Sequence, residues 1–142
     1  AEIPVKSIGL VEADGSGIKA AEEREIAAIQ RLWGEHKPGL PLVGIGSVKG
    51  NIGHCFRASA AASILKTALA LRRKVLPPQI PAERPLDALS NLSSSAYLLN
   101  EARPWITGDP SSPRRAAVLV NDLGGRRAAI ILEEEPTTED RQ

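Results

Sequence analysis

Short apolar runs and helical stripes alternate along the chain, with turn sequence between them. Ser7 to Ala13 (SIGLVEA) reads as a buried strand, closed by the turn sequence Asp14-Gly15-Ser16-Gly17. Lys19 to Trp33 places Ala20, Ala21, Ile26, Ile29, Leu32 and Trp33 on one stripe and predicts a helix, ended by His36-Lys37-Pro38-Gly39. VGIGSVKGNIGH, from Val43, supplies a short strand and a glycine-rich turn. RASAAASILKTALALRR follows with small and apolar residues at helical spacing, and Arg72, Arg73 and Lys74 in its last turn complement the helix dipole. Leu76-Pro77-Pro78 stops that helix. Residues 79–95, with Pro81, Pro85 and the run Ser93-Ser94-Ser95, read as an irregular crossing with a helical turn at Pro85 to Leu89. Tyr97-Leu98-Leu99 is a short strand. Arg115 to Val120 and Arg127 to Glu133 are near-continuous apolar runs, read as buried strands joined by a tight turn at Asp122 to Gly125. The tail 136–142 is polar and reads as disordered. The order β-α-β-α-β-β-β predicts an α/β fold, a mixed sheet covered by helices, with the alanine-rich helix buried.

Composition narrows this picture. The 142 residues suffice for one domain with a core, but two Trp, one Tyr and one Phe leave that core to Ala, Val, Ile and Leu. A net charge of +1 gives no global reason to expect nucleic acid or membrane as partner. No apolar run approaches a membrane span and no signal peptide is visible. Cys55 is the single cysteine, so no internal disulfide forms and the cytoplasm is the expected compartment. The chain opens on strand-like sequence with no Met, as a piece cut from something longer would.

The candidate chemistry lies between the second strand and the alanine-rich helix. A glycine-rich turn there gathers backbone N–H groups and a helix N-terminus at one point. Lys49 and His54 lie on this turn, so a cation and an imidazole can face the same spot. His54 is read either as a site histidine or as a polar helix-start residue, and Lys49, taken alone, as a solvated lysine. Cys55 reads as a small buried residue, because neighbours in sequence do not face each other on a helix. GIGSVKG lacks the spacing of a phosphate loop. Glu22 and Glu25 read as helix-start charges. The pairs Arg72-Arg73, Arg114-Arg115 and Arg126-Arg127 read as solvated faces, or as a dock for an acidic partner.

Four stretches in order resemble the C-terminal part of the β-ketoacyl synthases, the condensing enzymes of fatty-acid and polyketide synthesis, which have the thiolase fold. VEADGSGI is similar to the family's V-E-A-H-G-T-G-T, and GSVKGNIGH to its G-S-x-K-x-N-I-G-H. LRRKVLPPQIP resembles the L-x-x-x-x-L-P-P that follows the buried helix. ARPW and PRRAAVLVNDLGGRRAAIILEE resemble the closing R-P-W and glycine-rich strand pair. The resemblance spans residues 1–135 as one thiolase-like half and is greatest to modular polyketide synthases.

The resemblance implies a Cys nucleophile that takes an acyl chain from a carrier-protein thioester, and two histidines that promote decarboxylation of a malonyl unit. Developing negative charge there has to meet preorganised donors. His54 aligns with the second histidine, Lys49 with the supporting lysine, and Asp14 with the first histidine. A carboxylate has no proton to give at neutral pH and repels an oxyanion; only burial that kept Asp14 protonated would restore a donor. The threonines that meet the pantetheine arm become Ser16 and Ile18, with Asn51 as a further pantetheine position. The acidic position after the second histidine is Phe56. The closing glycine loop is shorter, with Leu123 in place of an aromatic and Arg126-Arg127-Ala128-Ala129 in place of T-N-A-H. The nucleophile's segment is missing. The implied activity is acyl transfer without condensation, given an N-terminal half that carries the Cys. This chain would bind no cofactor itself, and the phosphopantetheine arm of an acyl carrier protein would bring the substrate. The implied partners are that N-terminal half or a neighbouring domain, the carrier protein and a second copy in a dimer. The alternative is a non-catalytic scaffold or dimerisation module, because half of a sandwich leaves one face of Ala58 to Leu71 bare.

Overall fold

The computed structural model describes residues 3–34, 43–90, 92, 96–122 and 124–135. Strand β1 (Ile8–Glu12) leads to helix α1 (Lys19–Trp33) and strand β2 (Val43–Gly46). A single helical turn, α2 (Lys49–Ile52), and a 3-10 turn at Phe56–Ala58 precede helix α3 (Ser59–Arg73). Then follow β3 (Val75–Leu76), α4 (Asp87–Ser90), β4 (Ala96–Leu98), β5 (Arg103–Pro104), β6 (Arg115–Asn121) and β7 (Arg127–Glu133). The main sheet has the order β4-β2-β1-β6-β7. Its first four strands run parallel, and β7 returns antiparallel to β6 with Arg115 opposite Glu133 and Asn121 opposite Arg127.

Period-two alternation sends neighbouring strand residues to opposite layers. Val11, Ile45 and Ala117 pack with Ile29 and Trp33 of α1 on one face. Leu10 and Ala116 pack with Ala70, Leu71, Leu99 and Trp105 on the other. Two faces covered by helices explain why β1, β2 and β6 are near-continuous apolar runs; β7, read as a buried strand, is exposed over residues 127–129 and only half-buried over 130–132. Helix α3 buries Ser59, Ser63, Thr67, Ala70 and Leu71. Thr67 Oγ1 donates to the Ser63 carbonyl at 2.8 Å, so its buried hydroxyl is satisfied within the helix. The far face of α3 leaves Leu65 61% and Leu69 47% exposed, so this helix is buried along one side only, with the bare face expected of half a sandwich.

Several sequence expectations need correction. α3 ends at Lys74 in the left-handed conformation (φ 55°), and Val75–Leu76 then pairs with Arg103–Pro104 as a two-stranded ribbon that the prolines had hidden. The helical turn expected at Pro85 to Leu89 lies at Asp87–Ser90. The short strand is Ala96–Leu98, one residue earlier than read. Helix α3 starts at Ser59, five positions after His54, so its N-terminus does not sit on the glycine turn. Cys55 is half-buried rather than buried. The helix stop at 36–39, the serine run 93–95, Leu123 and the tail 136–142 lie outside the described residues. Among the described residues no helix is long and apolar enough to cross a membrane.

Candidate functional site

Because β1, β2 and β6 run parallel, the segments that follow them meet at one end of the sheet, where open α/β folds place their sites. The segment after β1 is pinned by α1. Glu25 accepts from Asp14 N at 2.8 Å and Gly15 N at 3.2 Å, and Glu22 accepts from Gly17 N at 2.8 Å. The two acids thus satisfy the backbone donors of residues 14, 15 and 17; Glu22 lies in the first turn of α1 as read, whereas Glu25, read as a helix-start charge, stands further along the helix. Gly15 takes φ 53°, and a Cβ there would lie 2.6 Å from Ser47 Oγ, so a side chain is excluded on both counts.

Asp14 lies at the centre and is 6% exposed. Its Oδ1 accepts from Lys49 Nζ at 2.7 Å and from Asn121 N at 3.2 Å. Lys49 is buried with it, so the two aligned positions form a closed ion pair. Beneath them lies a second pair. Glu12, fully buried, accepts from Lys66 Nζ at 2.7 Å and from Val48 N at 2.6 Å, which ties β1, α3 and the turn that carries Lys49 together. Burial pushes the Glu12 carboxyl up from the usual carboxylate range, and Lys66 opposes that rise. Glu25 is likewise raised by burial, against the two N–H donors it holds. Gln79 completes the support by accepting from Ser47 N at 2.9 Å.

His54 is exposed. Its Nδ1 accepts from Phe56 N at 2.9 Å, with Ser59 Oγ at 3.5 Å. A backbone N–H can only donate, so the neutral ring carries its proton on Nε2. The Phe56 ring leans over the imidazole at 5.1 Å between centroids and 47°. His54, Phe56, Asp14, Ser16 and Ile18 all line one groove of about 940 Å³ between α1 and β6–β7. Ser16 Oγ accepts from Ile18 N at 3.2 Å.

The structure thus brings together five of the positions singled out in the sequence or by the resemblance. Lys49 is at the same end but faces Asp14; its contact is with that carboxylate rather than with His54. Asn51 is placed elsewhere. Its amide donates to Pro78 O at 3.0 Å and accepts from Ile80 N at 3.0 Å, which fastens the segment after α3 and leaves it off the groove lining. Three of the six arginines in the basic pairs are engaged: Arg114 with Glu134, Arg115 with Glu133, and Arg126 with Asp122. Sequence reasoning did not single out Glu12, Lys66 or Gln79. An acid inside an apolar strand and a lysine on the sheet-facing side of an alanine-rich helix were the available signals.

Comparison with known proteins shows which family the chain is similar to. The model of the beta-ketoacyl synthase C-terminal domain matches residues 1–83. Polyketide synthase GfsE of Streptomyces halstedii is 36% identical over 136 residues, 96% of this chain and 4% of that protein. The hybrid PKS-NRPS synthetase pytA of Aspergillus terreus is 35% identical over 124 residues, 87% of this chain and 18% of its own length. Among solved structures, the ketosynthase from module 6 of the Bacillus subtilis bacillaene synthase superposes with a TM-score of 0.82 at 32% identity, over 95% of this chain and 24% of that one. The oxazolomycin ketosynthase domain OzmH KS7 of Streptomyces albus has a TM-score of 0.82 at 32% identity, over 96% and 24%. The chain therefore spans about a quarter of the ketosynthases it resembles and a small part of the curated relatives, and its α/β fold is thiolase-like.

Proposed function

Since this chain belongs to the β-ketoacyl synthase C-terminal domain family, within the polyketide synthase ketosynthases, we propose that it serves an acyl-transferring site that does not extend chains. The observation that carries the reading is the closed pair of Asp14 and Lys49, 2.7 Å apart. Condensation forms a carbanion-like enolate and needs donors at both aligned histidine positions. A carboxylate occupied by Lys49 and the Asn121 N–H supplies acceptors there instead. Acyl transfer asks for less. A Cys thiolate from the N-terminal half attacks the thioester carbonyl, the oxygen takes the negative charge, and collapse expels the pantetheine thiolate. His54 Nε2–H is free to donate to that oxygen, since Nδ1 is held by Phe56 N. Ser16 and Ile18 would flank the pantetheine arm of the carrier protein.

The test joins this chain to an N-terminal half with its Cys and follows intact mass after treatment with an acyl pantetheine thioester and with malonyl-loaded carrier. The expected result is an acyl adduct with no chain-extended product. No adduct removes the reading, and a β-ketoacyl product removes the loss of condensation.

The bare strip on α3 favours a second reading, a scaffold or dimerisation module. Leu65 and Leu69, with Ile52 and Val75 beside them, form an apolar surface that another chain or half would cover. Sedimentation separates the two: a well-folded, strictly monomeric chain speaks against a scaffold.

A further inference from the structure

Among the described residues β7 pairs with β6 along one edge and with no strand along the other. Two bonds just beyond its ends fix the phase of that pairing. Asp122 N donates to Arg126 O at 2.9 Å, and Glu134 N to Arg114 O at 2.8 Å. Opposite residues of an antiparallel pair alternate between those that exchange hydrogen bonds and those that do not. Counted in twos from Arg126 and Glu134, the even positions of β7 therefore turn their N–H and C=O groups to β6. Arg127, Ala129, Ile131 and Glu133 turn theirs outward. The register with β6 is unbroken and the strand holds no proline, so neither a bulge nor a missing donor blunts this edge.

We propose that the free edge of β7 is an interaction surface for a second copy of this chain, joined antiparallel about a two-fold axis through Ile130. The charges at the two ends make the edge complementary to itself. With the axis at Ile130, Arg127 lies opposite the partner's Glu133 and Ala129 opposite the partner's Ile131, so all four outward residues exchange hydrogen bonds. Moving the axis one residue either way leaves Arg127 or Glu133 beyond the end of the partner strand. Strand alternation puts Arg127 and Glu133 on one face of the sheet, so the opposed side chains meet. Arg127 makes no ion pair among the described residues, and Glu133, bonded to Arg115, keeps its side chain 45% exposed. The surface is distinct from the strip on α3 and independent of the acyl-transfer reading. Longer stacks draw on the same edge but depend more steeply on concentration, so dilute chains pair.

Sedimentation and disulfide trapping on the full chain test this. The expected result is a reversible monomer–dimer equilibrium. Arg127→Glu and Glu133→Lys each set like charges opposite one another at both ends, and each should weaken the dimer about tenfold. Mixing the two variants should restore it, because every charge then meets its opposite. Both positions are exposed, so thermal midpoints should stay near that of the parent. In a Cys55→Ser background, Ile130→Cys should form an intermolecular disulfide under mild oxidation, since residues at the axis sit close across the strands. Ala128→Cys, opposite the partner's Leu132, should not. A monomer at every concentration, a dimer as tight in either charge variant, no restoration on mixing, or equal cross-linking at both positions overturns the proposal. A dimer that Leu69→Lys dissolves and Arg127→Glu leaves intact belongs to the α3 strip and overturns it too.

Discussion

The Lys49 ammonium donates to the Asp14 carboxylate at 2.7 Å, and both side chains are more than nine-tenths buried. Two charges removed from water in this way depend on each other, because removal of one leaves the other without compensation. Lys49→Met should therefore lower the unfolding free energy by about 3–5 kcal/mol, while Asp14→Asn combined with Lys49→Met should recover a large part of it. Urea midpoints of the two singles and the double give the coupling. Additive effects would mean that the pair is not a unit.

Glu12 and Lys66 make a different prediction, because Glu12 also holds the Val48 N–H at 2.6 Å. Glu12→Ala should cost about 3 kcal/mol or more by leaving Lys66 buried and alone. It should also speed amide exchange at Val48 while leaving exchange in α1 at the global rate. Equal acceleration in both places would show that Glu12 stabilises the fold as a whole and does not hold the turn.

Glu25 gives a pH dependence whose sign follows from burial. Its carboxyl is raised in the folded chain, so its contribution to stability is complete below the unfolded value of 4.5 and is lost as pH rises through the folded value. Glu25→Gln cannot titrate. The variant should therefore gain stability relative to the parent as pH rises from 4.5 towards neutrality. Glu134 runs the other way: burial alone would raise it, but hydrogen bonds from Arg114 and Lys74 hold it lower, so its contribution fades as pH falls below 4.5. Thermal melts of parent and Glu25→Gln across this range separate the two.

Gly9 lies against a tryptophan. A Cβ there would sit 2.7 Å from Trp105 Nε1, and Trp105 is buried between β1 and α3. Gly9→Ala should cost about 1–3 kcal/mol by overpacking. Near-ultraviolet dichroism should change as the indole shifts; an unchanged spectrum with full stability would show that the ring has room to move.

Much of the fold was legible because the apolar periods are clean. Lys19 to Trp33 is a helix with the bounds read for it, although of its apolar stripe only Ile26, Ile29 and Trp33 are buried and Leu32 is exposed, and the five apolar runs are the five strands of the main sheet. The ribbon of Val75–Leu76 and Arg103–Pro104 was hidden, since two-residue strands carry no period and prolines flank them. The site was half legible. Motif order brought Asp14, Lys49 and His54 to one end of the sheet, but spacing alone could not say that Lys49 turns to Asp14, because that depends on where α2 aims its first residue. Asn51 sits in the same motif and faces away, tied to residues 78 and 80. Glu12 and Lys66 are 54 positions apart, and only the packing of α3 on β1 joins them.

Strand β7 ends the sheet, and its middle, Ala128-Ala129-Ile130-Ile131-Leu132, carries no charge. Its outward row of peptide groups is a template for another extended segment, guarded only by Arg127 at one end and Glu133 at the other. Concentrated preparations of the chain alone should therefore tend to stack strand against strand into thioflavin-binding fibres. A lysine in place of Ile130 should act as a gatekeeper against this.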